Sequence, residues 1–310
     1  MKGKILVTGS LFITNEHIKI IEAAGYKVER LANGNASEDE LIEALKGKVG
    51  YILGGIEKVT DKVIESTNQL KVIAFTGADW QAIIPGWQAA KEKGIKISNA
   101  PGANSPAVAE FSLAVALLMQ RNLFEIGRTG TKTFQTTETL QDMNIGVIGA
   151  GKIGGRIIKM ANTFSPAKVM YFSRSRKKEL ENEITEFVSL ETLLKKSNVI
   201  FVAVPGSAGT ILDEQAIAKL KNNALIVDIS PFNLIDFNAL LPRLKDETLR
   251  AAVDWPMPNK EFSKLPQHIW YSTNNHTAYN TRSVIKLCSD MGTSSLLNLL
   301  EKGEDPYAVI

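Results

Sequence analysis

The stretch Asn144–Gly154, N-I-G-V-I-G-A-G-K-I-G, decides the fold. A short apolar run of β type (Ile145, Val147, Ile148) ends in Gly149. Gly151 and Gly154 complete the pattern G-x-G-x-x-G, with Ala150, Lys152 and Ile153 between them. A helical spacing follows through Ile157, Ile158 and Ala161. The three glycines have separate tasks: a tight turn, close backbone approach to a pyrophosphate, and close packing of helix on strand. The helix start offers unpaired N–H groups and a positive dipole end to phosphates. With the strand before it and the helix after it, the motif is read as the cradle of a dinucleotide.

Composition sets the wider bounds. A chain of 310 residues suggests about two domains. The 44% hydrophobic and 22% charged content is that of an ordinary globular protein. A net charge of +3 is too small to argue for nucleic acid or an anionic membrane as partner. No run approaches the ~20 apolar residues that span a bilayer. The start, M-K-G-K-I-L-V-T-G-S, reads as a first β-strand and not as a signal peptide, so a cytoplasmic location is expected. Cys288 is the only cysteine, and the three histidines form no ligand pair, so no metal site is expected.

Outside the glycine motif, strands alternate with helices. In the first hundred residues strand-like runs fall at Lys4–Thr8, Tyr26–Arg30, Gly50–Leu53, Lys71–Phe75 and Ile95–Ser98, with short helical runs between. That alternation implies a parallel sheet. T-G-S-L-F-I after Val7 lacks the glycine pattern, so this unit reads as flavodoxin-like without a nucleotide site. Ser105 is placed to cap a helix whose first residue is Pro106. That helix is apolar around most of its circumference, so it must be buried on several sides. A Thr-rich stretch, Thr129–Thr139, links it to the glycine motif. Beyond Asn144 five further strand-like runs alternate with helices, and a last helix spans about Asn280–Leu300. The expected class is α/β: two doubly wound parallel-sheet domains, a Rossmann cofactor domain inserted into a flavodoxin-like substrate domain.

Over nearly its whole length the chain resembles the D-isomer-specific 2-hydroxyacid dehydrogenase family. The match is carried by Asn99–Glu110 (N-A-P-G-A-N-S-P-A-V-A-E), Leu140–Arg156 and Val188–Pro205. It continues through Leu225–Asp236 (L-I-V-D-I-S-P-F-N-L-I-D), Ala251–Trp255 (A-A-V-D-W) and Asn274–Ala278 (N-N-H-T-A). The resemblance implies a substrate domain of residues 1–98 plus 283–310 and a cofactor domain of 99–282. It implies homodimers through the helix near 106–128, and hydride exchange between a nicotinamide and a 2-keto acid. It also places Val204, Pro205, Asp228 and Asp254 on the cofactor side.

The second strand of a dinucleotide fold usually ends in a carboxylate that accepts from the ribose hydroxyls. Here it ends Y-F-S-R-S-R, and Ser173 stands at the tip, followed by Arg174, Ser175 and Arg176. A 2′-phosphate wants charge-assisted donors and repels a carboxylate. The tip therefore favours NADP over NAD. The competing explanation is a solvated basic helix start.

The family's reaction centre uses a His, a carboxylate or amide that holds it, and an Arg that clamps the substrate carboxylate. His276 matches the His, and an imidazole suits proton transfer near neutral pH. Asn259 falls at the partner position, with Glu261 two residues on. The Arg position is Pro231, which donates no hydrogen bond. A charge-assisted bond contributes about 1.5–3 kcal/mol, so losing a two-bond clamp costs on the order of 10²–10⁴ toward a 2-keto acid. Gly77, Ala78, Asp79 and Asn104 match the loops that hold the substrate, and Trp80, Trp255 and Tyr279 are aromatic candidates for its pocket. The favoured reading is an NADP-dependent oxidoreductase with an atypical carbonyl substrate. The second is a catalytically impaired NAD(P)-binding protein with a sensing or partner-binding role. The third is an ordinary 2-hydroxyacid dehydrogenase whose clamp is replaced by Arg121 or Arg282.

Overall fold

The computed structural model describes residues 1–130, 136–230, 232–275 and 277–310. The chain forms two compact units, Met1–Asn104 with Thr281–Ile310, and Ser105–Asn280. The first change-over lies six residues beyond the expected 98/99, because the turn Asn99–Asn104 bonds to its own unit. Ala100 N–H donates to Gly77 O at 2.9 Å, and Asn99 Nδ2 donates to Ala78 O at 2.8 Å.

The first unit holds strands β1 (Gly3–Thr8), β2 (Tyr26–Leu31), β3 (Lys48–Leu53), β4 (Val72–Phe75) and β5 (Lys96–Ser98). They pair in parallel in the order β2-β1-β3-β4-β5. Its helices are α1 (Asn15–Ala23), α2 (Glu38–Leu45), α3 (Asp61–Ser66), α4 (Trp80–Ile83), α5 (Trp87–Glu92) and the chain's last helix, α12 (Arg282–Glu301). Successive strand side chains face opposite ways, so each strand serves two cores. Ile5, Val7, Ile52 and Ala74 pack with Leu296 and Leu299 of α12. Leu6, Tyr51, Leu53 and Ile73 pack with Leu41, Leu45 and Val63 on the other face. Gly50 is where α12 crosses most closely: a Cβ there would lie 2.9 Å from Leu296 Cδ1 and 2.8 Å from Ile5 Cδ1. Helix α2 starts on a reciprocal cap, with Ser37 and Glu40 each bonding the other's backbone N–H.

The second unit begins with α6 (Ser105–Gln120) and α7 (Leu123–Thr129). Its strands are β6 (Asn144–Ile148), β7 (Lys168–Phe172), β8 (Thr185–Phe187), β9 (Val199–Val202), β10 (Ala224–Asp228), β11 (Leu249–Val253) and β12 (Trp270–Ser272). They form one parallel sheet in the order β12-β11-β10-β9-β6-β7-β8. Helices α8 (Lys152–Asn162), α9 (Leu190–Lys196), α10 (Glu214–Ala218) and α11 (Phe237–Lys245) complete it. The order turns back at the β6–β9 pair, which is the switch point where such sheets open a crevice beyond their carboxyl ends.

Two local expectations change. Ser105 is already helical, and its hydroxyl is buried with no hydrogen-bond partner, so it is not the cap. The edge strand β8 was not foreseen: it is three residues long with two exposed, so it carries no apolar run. As expected of its apolar girth, α6 is largely buried, and Leu113, Ala116 and Met119 share a core with Ile157, Ile158 and Val227. Part of the Thr-rich link, residues 131–135, lies outside the described residues. No single described helix is long and apolar enough to cross a membrane, and α6 and α7 reach that measure only together, across a 64° bend.

Candidate functional site

The glycine loop sits at the switch point. Gly149 has φ +98°, a conformation open mainly to glycine, and a Cβ there would lie 2.4 Å from Ala203 O. Gly154 is tighter, since its Cβ would lie 1.7 Å from Gly149 O. Gly151 is the opposite case. It is exposed, and a Cβ there would meet nothing within 4 Å. Gly149 and Gly154 are thus required by the fold itself, whereas Gly151 keeps a space open above the start of α8. No side chain caps that helix start at Gly151, so its first N–H groups face outward, flanked by Ala150, Lys152 and Ile153. An uncapped helix start under a space that a Cβ would fill fits a pyrophosphate.

At the end of β7, Ser173 Oγ donates to Ser175 O at 2.6 Å and closes a tight turn. The two arginines of this turn differ. Arg176 is committed to Glu181 through bonds of 2.8 and 2.6 Å. With Tyr171 as a further donor, Arg176 holds the Glu181 carboxyl down at about 2. Arg174 is exposed and unpaired among the described residues. One guanidinium at the tip is therefore available to a ligand, not two.

The ends of β9, β10 and β11 are laced together. Ser230 Oγ donates to Val202 O at 2.9 Å and accepts from Val204 N–H at 3.1 Å, fixing the approach to Pro205. Asp228 is fully buried, with Oδ1 accepting from Ser230 N–H at 2.9 Å. Its Oδ2 is buried without a partner. Burial pushes the Asp228 carboxyl well above the usual carboxylate range. Asp254 N–H donates to Asp228 O at 3.1 Å, and the Asp254 side chain accepts from Thr273 Oγ1 at 2.9 Å. The same carboxylate accepts from Thr277 N–H at 3.0 Å and Ala278 N–H at 2.8 Å.

Asn259 is exposed and lines a cavity of about 430 Å³ with Thr210, Asn233, Asp236 and Asn238. Its Oδ1 accepts from Glu261 N–H at 2.9 Å, so the oxygen that would orient an imidazole already closes a turn. The Glu261 carboxylate is taken by Lys245 and Lys264. In the first unit, Gly77 is half-buried while Ala78 and Asp79 are exposed, and the bonds from Ala100 and Asn99 tie this loop to the turn that ends in Asn104. Trp80 packs edge-on against Trp87 at 6.0 Å. Trp255 lies in the core beside Phe237, and Tyr279 is half-buried.

Comparison with known proteins decides the family. Residues 113–278 match the family model described as D-isomer specific 2-hydroxyacid dehydrogenase, NAD binding domain, and residues 5–152 match that of the family's catalytic domain. The chain belongs to the D-isomer-specific 2-hydroxyacid dehydrogenase family. A glyoxylate reductase of Thermococcus litoralis is 30% identical over 86% of this chain and 85% of its own length. A D-3-phosphoglycerate dehydrogenase of Methanocaldococcus jannaschii is 36% identical over 80% of this chain, which spans only 48% of that longer protein. The solved structure of a D-2-hydroxyisocaproate dehydrogenase superposes with a TM-score of 0.83 at 25% identity, covering 99% of both chains. The chain is thus a nicotinamide-dependent oxidoreductase of the 2-hydroxyacid dehydrogenase type.

Within this 2-hydroxyacid dehydrogenase, the expected cofactor residues of the second unit gather at the carboxyl edge of one sheet. Pro231 and His276, the two positions on which the reaction centre turns, lie outside the described residues. Arg121 does not replace the missing guanidinium within this unit. It bonds Thr137 Oγ1 at 2.9 Å, next to the end of α6 where Gln120 Oε1 accepts from Arg250 at 2.7 Å. Arg250 stands near the start of β11 and Asp254 just beyond its end, about 13 Å away at the usual rise of a strand. Arg121 therefore sits at the sheet edge opposite the glycine loop. Arg282, the first residue of α12, is exposed and belongs to the first unit. Two features escaped the sequence: the Arg176–Glu181 pair and the capture of the Asp254 carboxylate by its own loop. Neither has a local motif. The Asp254 contacts join segments that only folding brings together, and the Arg176–Glu181 pair, five residues apart, depends on the local turn after β7.

Proposed function

We propose that this chain is an NADP-preferring reductase that converts a small carbonyl compound other than a simple 2-keto acid to its alcohol. The observation that carries the reading is the glycine cradle, in which Gly151 alone guards open space while Gly149 and Gly154 are packed against backbone. When bound, the nicotinamide supplies the hydride. The uncapped start of α8 holds the pyrophosphate, and Ser173, Arg174 and Ser175 face the ribose 2′-phosphate. Arg174 is the donor of choice, because Arg176 is spent on Glu181. His276 delivers a proton to the substrate oxygen as the hydride reaches the carbon, so C=O becomes CH–OH.

Pro231 supports the departure in substrate. Without a guanidinium clamp at that position, a substrate carboxylate keeps only the backbone N–H groups of Gly77, Ala78 and Asp79 as its expected donors. A ligand without a carboxylate loses nothing there. The test is a titration of NADPH and NADH by nicotinamide fluorescence, then a panel of aldehydes, ketones and 2-keto acids with the tighter nucleotide. The reading expects NADPH to bind at least about tenfold more tightly, since one charge-assisted bond contributes that much. It expects turnover of a carbonyl compound that is lost in His276→Ala. Tight NADPH binding with no turnover across the panel defeats it.

A further inference from the structure

We propose that Asn99 is a positioning residue for the substrate loop Gly77–Asp79, and that the segment Asp305–Val309 holds Asn99 in place. The first argument is orientation. Beyond β4 the chain leaves its sheet at Thr76, whose N–H still donates to Leu53 O at 3.1 Å. The next two carbonyls are taken by the turn that follows β5. Ala100 N–H donates to Gly77 O at 2.9 Å, and Asn99 Nδ2 donates to Ala78 O at 2.8 Å. In a trans peptide the C=O and the following N–H point opposite ways. Fixing the carbonyls of Gly77 and Ala78 therefore turns the N–H groups of Ala78 and Asp79 away from that turn. Neither N–H has a partner among the described residues, and both residues are exposed. Asn99 is 8% exposed, so its amide acts on the loop from behind and is not a ligand itself.

The second argument is what holds Asn99. β5 is the edge of its sheet, and residues 307–309 run antiparallel along it, with Ser98 opposite Ala308. Val309 N–H donates to Ile97 O at 2.8 Å, and Asn99 N–H donates to Tyr307 O at 3.2 Å. Asn99 thus donates to this strap through its backbone and to the substrate loop through its side chain. Asp305 pins the strap to α12. Its Oδ1 accepts from Ser295 Oγ at 2.9 Å and from Tyr307 N–H at 2.8 Å, and its Oδ2 accepts from Asn298 Nδ2 at 2.9 Å. These are three separate donors, one of them the hydroxyl of buried Ser295. Val309 adds packing against the core that holds Ile73, Phe75 and Ile97. Protection of an open sheet edge is the competing account of the strap. It explains the pairing with β5 and leaves the bond from the Asn99 side chain to Ala78 unexplained.

The role of the loop rests on the reductase reading above; the anchor and the strap are also read without turnover. Asn99→Ala, Asp305→Ala and Asp305→Asn are compared with the wild-type chain. The readouts are amide hydrogen exchange at residues 97–100 and 307–309, NADPH affinity by fluorescence, and steady-state kinetics with glyoxylate, hydroxypyruvate or any other carbonyl compound that the wild type reduces. Donors that grip ground state and transition state alike set KM and not kcat. In Asn99→Ala, KM is expected to rise about tenfold, which one hydrogen bond supplies, with kcat and NADPH affinity held within about threefold. Ala100 N–H is expected to exchange at least about tenfold faster. Asp305→Ala is expected to speed exchange at Asn99 and Val309 by a similar factor and to raise KM by about threefold or more. In Asp305→Asn the amide oxygen still accepts from Tyr307 N–H, and Asn298 can turn its own oxygen to the new amide, so exchange and KM are expected to return to within about threefold of the wild type. If Asn99→Ala does not fold, the two Asp305 variants decide the matter. Faster exchange with unchanged KM leaves only edge protection and overturns the proposal. So does unchanged exchange in both alanine variants, or a loss of kcat or NADPH affinity as large as the rise in KM, which marks general loosening. If the wild type reduces nothing, the reductase reading fails, and oxalate binding, followed by the fluorescence of bound NADPH, takes the place of KM. A wild type that binds no oxalate, or an Asn99→Ala chain that binds it equally well, then overturns the proposal.

Discussion

At the level of single residues, the three glycines of the cradle separate fold from function. In Gly154→Ala the new Cβ has to displace the Gly149 carbonyl, and overpacking of that kind costs about 1–3 kcal/mol or more. Thermal unfolding is expected to show a clear fall in Tm. In Gly151→Ala the Cβ enters open space, so Tm is expected to hold while the dissociation constant for NADPH rises about tenfold through lost backbone approach. Equal losses of Tm in both variants would contradict the assignment. Asp228 gives a second prediction. Burial raises its pKa in the fold, whereas the unfolded chain titrates near the ordinary value of about 4. The folded state thus keeps its proton to higher pH. The contribution to stability is complete below about pH 4 and is lost as pH rises toward the raised value. An Asn keeps the acceptor for Ser230 N–H and has no charge to bury. Asp228→Asn is expected to match the wild type near pH 4 and to be more stable at pH 8, by on the order of 1–3 kcal/mol. A gain that shrinks with rising pH would refute this.

At the level of elements, most of the layout was legible because parallel strands are buried on both faces. V-I-F-V in β9 and A-L-I-V before Asp228 in β10 read as unbroken apolar runs, and both are central strands. β8 was not legible for the same reason reversed: an edge strand with exposed Glu186 and Phe187 has no periodic signature. The tip of β7 was legible in composition and not in pairing. S-R-S-R announces a missing carboxylate, but sequence alone does not reveal that Arg176 turns to Glu181 ten residues beyond Tyr171. That pairing yields an unequal forecast. Arg174→Ala is expected to weaken NADPH by about 10- to 100-fold and to leave NADH nearly unchanged. Arg176→Ala is expected to have a much smaller effect on the NADPH/NADH ratio, since its guanidinium is already committed. Equal effects from the two arginines would show that the salt bridge opens for the nucleotide.

At the level of the whole molecule, the two units differ in how the chain builds them. The second is continuous, Ser105–Asn280, and carries its own sheet, its own cores on both faces and the complete glycine cradle. A unit with these properties meets the physical requirement for folding alone. The first is assembled from two segments, and its late segment is not an appendage. Leu296 and Leu299 of α12 sit in the same core as Ile5, Val7 and Ile52, and His17 Nε2 on α1 reaches Asp290 Oδ1 on α12 at 3.0 Å. Removing residues 281–310 uncovers one face of the first sheet and leaves the second unit's chain intact. Each fully buried Leu contributes about 1.5–3 kcal/mol, so two such losses alone consume much of a small domain's net stability. The truncated chain is expected to lose the cooperative unfolding transition of the first unit. A fragment of residues 105–280 is expected to give a single sharp transition and to bind NADPH within about tenfold of the full chain, because every residue assigned to the nucleotide lies inside it. Circular dichroism melts and nucleotide fluorescence on the two pieces measure both outcomes. Loss of NADPH binding in a well-folded 105–280 fragment would mean that the first unit supplies part of the cofactor site.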